Sequence, residues 1–199
     1  MNIIIISGSK DREGKTAQAI EAIRKGIIKT GSDSECIYLT EHKLEKCRQC
    51  NPDGWGICRS EHRCIIEDDF DSIVEKIKAA DAVVFATPVY FSDLSESMRG
   101  FLDRLRRTSF RFGASPRPGS PPATPARQNT PAVGLCYAGG SGNGTISCAF
   151  FLERILQTCG FDLVDMIPVR RQNLEMKLPY LERVGEWLTT KPVSGPPPR

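Results

Sequence analysis

The sequence has no long apolar run, since none approaches the ~20 residues that a helix needs to cross a bilayer. The amino terminus lacks a basic flank before its apolar stretch and a small-residue cleavage site after it, so we expect no signal peptide. No basic block is longer than Arg106-Arg107 or Arg170-Arg171, and 27 basic against 24 acidic residues leave a net charge of only +3. We therefore expect no membrane association, no nucleic-acid binding and a cytoplasmic location.

The chain of 199 residues is predicted to form a single domain over residues 1–190, because a chain of this length can bury roughly 70% of its unfolded surface. Two segments lack the apolar residues of a core. Residues 110–131 hold six prolines among Gly, Ser, Ala and Arg, which predicts a mobile loop. Residues 191–199 hold four prolines, which predicts a disordered tail.

Five apolar segments with strand character alternate with helical patterns. The first, Ile3 to Ile6, is an unbroken β-branched run, which is typical of a strand buried on both faces of a parallel sheet. The other predicted strands are residues 36–39, 81–86, 132–137 and 161–169. This alternation predicts a doubly wound α/β sheet of five parallel strands, whose ligands lie beyond the carboxyl ends of the strands.

Three loops are expected at that edge: residues 7–16, 87–93 and 138–144. The first combines Gly, hydroxyls and cations and opens a helix, so that its backbone N–H groups and the helix dipole favour an anion. The second follows the strand that we expect to end at Ala86, before Pro88, and it exposes two aromatic side chains. The third is rich enough in glycine for a planar ligand to approach the backbone. Together they suit flavin mononucleotide better than a nucleoside triphosphate.

A phosphate-transferring enzyme is one alternative, because Gly14-Lys15-Thr16 is also the closing triplet of the Walker A motif. That motif places four residues between its glycines, whereas five separate Gly8 from Gly14 here. No acidic residue at a strand end clearly serves as a magnesium ligand. A strand–helix turn that binds nothing also remains open at this stage, since hydroxyls and glycines are ordinary capping residues.

Three segments resemble the flavin-contacting segments of NADPH-dependent FMN reductases and iron–sulfur flavoproteins of the flavodoxin-like superfamily. They are residues 6–9 with 14–16, residues 87–91 followed by Phe101-Leu102-Asp103-Arg104, and residues 139–142. The resemblance implies a flavodoxin-like strand order of 2-1-3-4-5 and a homodimer or higher homo-oligomer. The sequence departs from the family in having Lys10 where Pro is common and Lys15 where Asn is common, and both changes add positive charge.

The resemblance also implies a role for each segment in holding FMN. The residues implied to bind the phosphate are Ser7, Ser9, Lys10, Gly14, Lys15 and Thr16. Those implied to lie along the isoalloxazine ring are Pro88, Val89, Tyr90 and Phe91. Those implied to approach its pyrimidine edge are Gly139, Gly140, Ser141 and Gly142. Two aromatics that simply close the core are the alternative for Tyr90 and Phe91.

Four cysteines lie within eighteen residues, in a polar insertion over residues 41–66 that follows the second strand: Cys47, Cys50, Cys58 and Cys64. Four thiolates can enclose a tetrahedral metal or an iron–sulfur cluster, because Gly and Pro turns let the chain double back. The resembling iron–sulfur flavoproteins carry a compact cysteine motif here, but Asp53 stands at the place of its third cysteine. A [4Fe–4S] cluster, structural zinc and thiols without metal all remain open, and His42 and His62 are close enough in sequence to substitute as ligands.

These observations predict an FMN-dependent oxidoreductase that passes electrons from NAD(P)H, or from an iron–sulfur centre, to a small acceptor. No side chain is needed as a catalytic acid or base, because the cofactor carries the chemistry. The alternative is a non-catalytic electron carrier or redox-sensing protein that docks a redox protein partner. Residues 170–173 are candidates for the phosphate of NADPH or for a subunit contact, with solvated surface charge as the alternative.

Overall fold

The structure is a computed structural model that describes residues 1–109 and 130–190. The predicted mobile loop over 110–131 and the predicted tail over 191–199 therefore lie outside the described residues, with two exceptions. Thr130 is buried, and Pro131 begins a strand instead of ending the loop. The single-domain organisation over residues 1–190 stays a prediction.

Six strands and five helices cover most of the described residues. The strands are β1 (Asn2–Ser7), β2 (Asp33–Tyr38), β3 (Ala82–Tyr90), β4 (Asp93–Leu94), β5 (Pro131–Ala138) and β6 (Asp162–Arg170). The helices are α1 (Lys15–Lys29), α2 (Phe70–Ala79), α3 (Glu96–Thr108), α4 (Thr145–Thr158) and α5 (Leu174–Leu188). Within the described ranges, no helix is both long enough and apolar enough to cross a membrane.

The sheet confirms the predicted α/β architecture. Its strands run in the order β2-β1-β3-β5-β6 and pair in parallel, while the two-residue β4 pairs antiparallel with β3. The short strand β4 lies off this path and has no counterpart among the five predicted strands. The predicted fourth and fifth strands therefore correspond to β5 and β6. The predicted order 2-1-3-4-5 and the observed order thus describe the same topology.

The expected end of the third strand at Ala86, with Pro88 in the loop that follows, was wrong. Strand β3 continues to Tyr90, with Pro88 opposite Tyr137 of β5. Its pairing with β1 ends at Ala86, so beyond that point one side of β3 has no parallel neighbour and the missing N–H of proline is tolerated. The predicted loop 87–93 shrinks to a two-residue hairpin turn. Phe91 and Ser92 both have positive φ angles there, 49° and 66°, as a tight β-hairpin turn requires.

The core forms on both faces of the sheet, as the isoleucine run of β1 predicts. Ile4 and Ile6 pack into the layer that holds α2, α3 and α4, whereas Ile3 and Ile5 pack into the layer that holds α1 and α5. Successive side chains of a strand point to opposite faces, so four consecutive isoleucines serve both layers.

Helices α1 and α5 cross in close backbone contact at two glycines. A Cβ atom on Gly26 would overlap the carbonyl oxygen of Glu182, and a Cβ atom on Gly185 would overlap that of Ile23. The two helices can approach this closely only because neither residue carries a side chain at the crossing. Glycine therefore serves here to bring two backbones together, although it costs helix propensity.

We expect Gly185→Ala to lower the free energy of unfolding by about 1–3 kcal/mol, because the added methyl group forces the two helices apart. Urea denaturation followed by circular dichroism measures this change. Gly100→Ala is the matched control, since a Cβ atom on this α3 residue meets nothing within 4 Å. It should stabilise the protein by up to about 1 kcal/mol, and equal effects of the two substitutions would contradict the crossing geometry.

Candidate functional site

The first two of the three predicted segments are joined by hydrogen bonds around Gly8. Its N–H donates to the carbonyl oxygen of Ala86 at 2.8 Å. Its own carbonyl oxygen accepts from the hydroxyls of Ser95 and Ser97 at 2.8 and 2.9 Å. Ser95 is also the N-cap of α3, where its hydroxyl accepts from the N–H of Met98. The start of α3 thereby fixes the loop after β1 against the end of β3.

Ser95 and Ser97 were missed by the sequence reasoning as residues that shape the site, and Thr87, inside the predicted segment 87–91, was given no role of its own. The Thr87 hydroxyl is buried and accepts from the N–H of Ser95 at 3.1 Å. A serine just before an apolar helical pattern is an N-cap signal that could have identified Ser95. Its hydrogen-bond partner Gly8 lies 87 residues away in the chain. No local sequence pattern indicates that these two residues are in contact.

The loop over residues 7–16 ends in a helix start that lacks a side-chain cap. Gly14 is the N-cap of α1, and the first turn holds no acidic residue. Among residues 1–109 and 130–190, no side chain bonds the first-turn N–H groups. Ser7, Ser9 and Thr16 are buried around this point. Free N–H groups and the positive end of the helix dipole are the elements of an anion site.

The two lysines predicted for the phosphate lie at the rim of this loop. Lys10 and Lys15 are both exposed, and the ammonium group of Lys15 donates to the side chain of Gln18 at 3.0 Å. The Ser9 hydroxyl bonds the backbone of Asp11, donating to its carbonyl oxygen and accepting from its N–H at 3.3 and 3.2 Å. The structure thus brings Ser7, Ser9, Gly14 and Thr16 together and leaves the cations at the edge.

Asp11 is an acidic residue of this loop that sequence reasoning missed. Its carboxylate accepts from the N–H of Glu13 at 2.9 Å and lies against Gly14, where a Cβ atom would meet it at 2.5 Å. An Asp that bonds the N–H two residues later is a recognisable turn signature. A Cβ atom at position 14 would therefore displace the Asp11 carboxylate from its present position.

The aromatic side chains of the β3–β4 hairpin point away from the core. Tyr90 is 57% exposed and Phe91 is fully exposed at 105%, so the alternative in which they close the core was wrong. Pro88 is buried and Val89 is half-buried in the strand that supports them. The turn also touches the third segment, because a Cβ atom on Gly144 would lie 2.6 Å from the Cα atom of Ser92.

The glycine loop after β5 is open on one side and supported on the other. Gly139 and Gly140 are exposed, and a Cβ atom on Gly140 would meet nothing within 4 Å. Gly142 is buried with φ of 76°, and a Cβ atom there would meet Gln172 at 2.6 Å. Ser141 is exposed between them. The open side leaves backbone accessible to a planar group.

Side chains that follow β6 hold this loop in place. Arg171 donates from Nε to the carbonyl oxygen of Gly140 at 3.2 Å, and Gln172 donates to that of Ser141 at 3.0 Å. Arg170 donates from Nε to the Thr145 hydroxyl at 3.1 Å. The cluster over residues 170–173 therefore supports the glycine loop, a role that none of its three sequence-based interpretations included.

The four cysteines of the insertion line one small cavity, of about 20 Å³, together with Arg104 and Arg107. All four thiols are free, and within residues 1–109 and 130–190 no three potential ligands are grouped closely enough to hold a metal ion. Gly56 packs against Cys50, where a Cβ atom would lie 3.3 Å from the sulfur. The donor chemistry suits a thiolate-bound metal, and the thiols share one cavity without forming a closed coordination shell.

His42 and His62 do not line this cavity. The imidazole of His42 lies 3.5 Å from the carboxylate of Asp69, and His62 is exposed. Asp53, at the place of the third cysteine of the family motif, accepts from the N–H of Trp55 at 3.0 Å and likewise does not line the cavity. The structure therefore brings only the cysteines together among the ligands considered from the sequence.

Arg104 connects both ends of the cysteine insertion to α3. It is 1% exposed and forms a two-pronged ion pair with Asp68, itself 5% exposed, at 2.6 and 2.9 Å. It also donates to the carbonyl oxygens of Glu45 and Ile66 at 3.1 and 3.5 Å, which lie just before Cys47 and just after Cys64. One buried guanidinium therefore holds the entry and the exit of the insertion.

The ion pair sets the charge states of both partners. Burial opposes ionisation of Asp68, but hydrogen bonds from Arg104 and from the N–H groups of Glu45 and Phe70 outweigh it and lower the pKa of its carboxyl. Burial likewise opposes the charge on Arg104, yet Asp68 and the neighbouring Cys64 raise the pKa of its guanidinium. Both groups are charged in the folded protein at neutral pH.

The parallel sheet with order β2-β1-β3-β5-β6, and its loops gathered at the carboxyl edge, define a protein of the flavodoxin-like class. A family model for NADPH-dependent FMN reductase matches residues 1–174. The chain belongs to this family.

Two curated relatives are iron–sulfur flavoproteins. One, from Methanocaldococcus jannaschii, is 33% identical over 129 residues, which are 65% of this chain and 64% of that protein. The other, from Methanosarcina thermophila, is 32% identical over 114 residues, 55% of this chain and 56% of that protein. The chain thus spans between about half and two thirds of the length of these relatives.

Solved structures share the fold at lower identity. An NAD(P)H:quinone oxidoreductase from Methanothermobacter marburgensis has a TM-score of 0.66 and 21% identity, and the match covers 95% of this chain and 96% of that one. An archaeal flavodoxin has a TM-score of 0.59 and 15% identity, with 96% and 98% of the two chains covered. These similarities establish the fold.

We expect Asp68→Asn to lower the free energy of unfolding by about 3–5 kcal/mol, because it leaves the buried charge of Arg104 without its counterion. Urea denaturation at neutral pH measures the loss. Asp69→Asn is the matched control at the same end of the insertion, since the Asp69 side chain is 45% exposed and accepts one backbone hydrogen bond. It should cost no more than about 1 kcal/mol.

The same pair predicts an acid dependence of stability. Because the folded-state pKa of Asp68 is lowered, its contribution is fully present above the unfolded carboxyl pKa and is lost as pH falls through the folded value. The stability difference between the unaltered protein and Asp68→Asn should therefore shrink progressively on acidification below about pH 4. A difference that stays constant with pH would contradict this assignment.

Proposed function

We propose that this protein is an FMN-dependent oxidoreductase that passes electrons from NAD(P)H, or from an iron–sulfur centre, through bound FMN to a small acceptor. The observation that carries the proposal is the convergence of three features at one sheet edge. These are the uncapped start of α1, the exposed aromatic turn at Tyr90-Phe91, and the glycine loop over residues 139–142. An anionic group on a planar ring system matches this combination.

The loop after β1 would hold the phosphate. The N–H groups at the start of α1 would donate to it, with the buried Ser9 and Thr16 beside them, while Lys10 and Lys15 add positive charge from the rim. The Asp11 carboxylate would lie close to the phosphate and repel it. The positive charges of Lys10 and Lys15 would offset this repulsion. Membership of an FMN reductase family supports this interpretation.

The other two segments would hold the ring. Tyr90 and Phe91 offer exposed aromatic surface for stacking, and Gly139 and Gly140 offer backbone with no side chain in the way. FMN, when bound, supplies hydride and single-electron chemistry. The protein would contribute orientation and backbone donors, aimed where negative charge develops.

The four cysteines are proposed to hold a metal centre, a [4Fe–4S] cluster with zinc as the alternative. Support comes from their shared cavity, from the thiolate chemistry, and from the iron–sulfur flavoproteins to which the chain is similar. Ser97 and Arg104 lie seven residues apart on α3, which corresponds to about 10 Å along the helix axis. The proposed cofactor sites are therefore at the two ends of one helix.

A second copy of this chain is the proposed partner at the flavin side. The exposed face of α4 carries Ile146, Phe150 and Phe151. This helix starts next to the turn that holds the exposed Tyr90 and Phe91, since a Cβ atom on Gly144 would lie 2.6 Å from the Cα atom of Ser92. Contiguous apolar side chains on a surface mark interaction sites. The same patch favours the second candidate function, a non-catalytic electron carrier that docks a redox protein. The proposal places the protein in the cytoplasm, where its cysteines would be kept from forming disulfides.

Anaerobic stopped-flow and steady-state assays distinguish the two functions. We expect purified protein loaded with FMN to oxidise NADH or NADPH with multiple turnovers when a quinone or free FMN is supplied. A bound flavin that can be reduced by dithionite but shows no such turnover would support the carrier. Protein that does not bind FMN at all would contradict both.

Replacing Ser9 and Thr16 together with Ala should weaken FMN binding by about 10- to 100-fold, because hydrogen bonds to a charged phosphate are lost. Quenching of FMN fluorescence during titration measures the affinity. Ser72→Ala on α2 is the control, since its hydroxyl bonds the carbonyl oxygen of Asp69 at 2.8 Å and it belongs to none of the three loops. Equal affinities in all three proteins would contradict the phosphate assignment.

A further inference from the structure

Two arginines of α3 present buried donors to the cysteine cavity. The Nε atoms of Arg104 and Arg107 are buried, and neither has a hydrogen-bond partner among the described residues. Both side chains line the cavity together with Cys47, Cys50, Cys58 and Cys64. Buried donors without acceptors are rare and call for an explanation. The four cysteine sulfur atoms line the same cavity and can accept hydrogen bonds.

The remaining polar atoms fix both guanidinium groups in place. The two terminal nitrogens of Arg104 are bound by Asp68 and by backbone carbonyls, and its guanidinium carbon lies 4.2 Å from the ring centre of Phe70. Arg107 donates from Nη1 to the carbonyl oxygen of Gly54 at 2.6 Å and lies 4.8 Å from the ring centre of Trp55. Their Nε–H groups are therefore held in defined positions beside the thiols.

The charge of Arg107 has no acidic counterpart in the described part of the chain. The carboxylate of Asp68 balances Arg104, whereas no ion pair joins Arg107 to a carboxylate within residues 1–109 and 130–190. Four thiolates around one divalent cation leave about two negative charges. A thiolate-bound metal would thus supply both the acceptors and the negative charge that this cavity lacks.

We propose that Arg104 and Arg107 form a cationic second layer around a thiolate-bound metal centre and donate their Nε–H groups toward cysteine sulfur. This inference rests on the proposed role of the four cysteines as ligands. Hydrogen bonds to ligating sulfur and positive charge nearby strengthen metal binding, and they make a redox-active cluster easier to reduce. Arg107 is the residue to test, because Arg104 also holds the ends of the insertion.

Anaerobic titration with Co²⁺, followed through its thiolate absorption bands, measures metal affinity directly and independently of activity. We expect Arg107→Gln to bind Co²⁺ about tenfold more weakly than the unaltered protein, and Arg107→Lys, which keeps the charge, to recover part of the loss. Arg106→Gln is the matched control: this neighbour on α3 pairs with Asp103 at 3.1 Å and does not line the cavity. Its affinity should be unchanged, as should the circular dichroism of all variants.

A reduction potential separates a second-layer role from a purely structural one. After reconstitution with iron and sulfide, the midpoint potential of the cluster should be more negative in Arg107→Gln than in Arg106→Gln, because a positive charge and a donor are removed. Equal Co²⁺ affinities in these two variants would overturn the second layer while leaving the metal centre intact. Failure of the unaltered protein to bind Co²⁺ would overturn the metal centre itself, and the inference with it.

Discussion

The buried ion pair between Arg104 and Asp68 is the interaction on which the arrangement of both candidate sites depends. Arg104 lies on α3, and Asp68 lies just before α2, at the end of the cysteine insertion. Removing either charge would leave the other buried without a partner, which is far more costly than losing an exposed pair. The insertion has little regular structure of its own, so this pair, with the backbone bonds to Glu45 and Ile66, determines where its cysteines lie.

Helix α3 connects this pair to the side of the molecule where we propose that the flavin binds. At its amino end, Ser95 and Ser97 bond the carbonyl oxygen of Gly8, and at its carboxyl end Arg104 and Arg107 line the cysteine cavity. A helix is more rigid than a loop, so α3 keeps the loop over residues 7–16 and the thiols at a fixed distance and orientation relative to each other. This gives a physical reason why a family that binds a flavin could add a metal centre at this place.

The architecture was predictable because its signals are local. The isoleucine run of β1, the helical periods and the glycine loop after β5 follow from the side-chain periodicities of strands and helices and from turn residues, and the strand order followed from the family resemblance. The end of β3 was not predictable, because whether Pro88 can stay in the strand depends on where its neighbour β1 stops. The exposure of Phe150 and Phe151 was missed as well, since an apolar helix pattern does not say which face has a partner.

The same distinction between local signals and long-range contacts separates the site features that were predictable from those that were not. Backbone features such as the glycine loop and the start of α1 could be read from residue types, whereas the supporting contacts of Arg171, Gln172 and Ser95 join residues that are far apart in the chain. The roles of the phosphate residues and of the four cysteines as ligands stay predictions.

The most direct test of a flavin site joined by α3 to a thiolate metal site is anaerobic purification followed by an absorption spectrum and analysis of flavin, iron, zinc and sulfide. We expect one FMN per chain together with a metal that is lost when Cys58 and Cys64 are replaced by Ala, while the flavin is retained. Colourless protein that contains no metal, and that takes up neither FMN nor metal on reconstitution, would contradict this expectation.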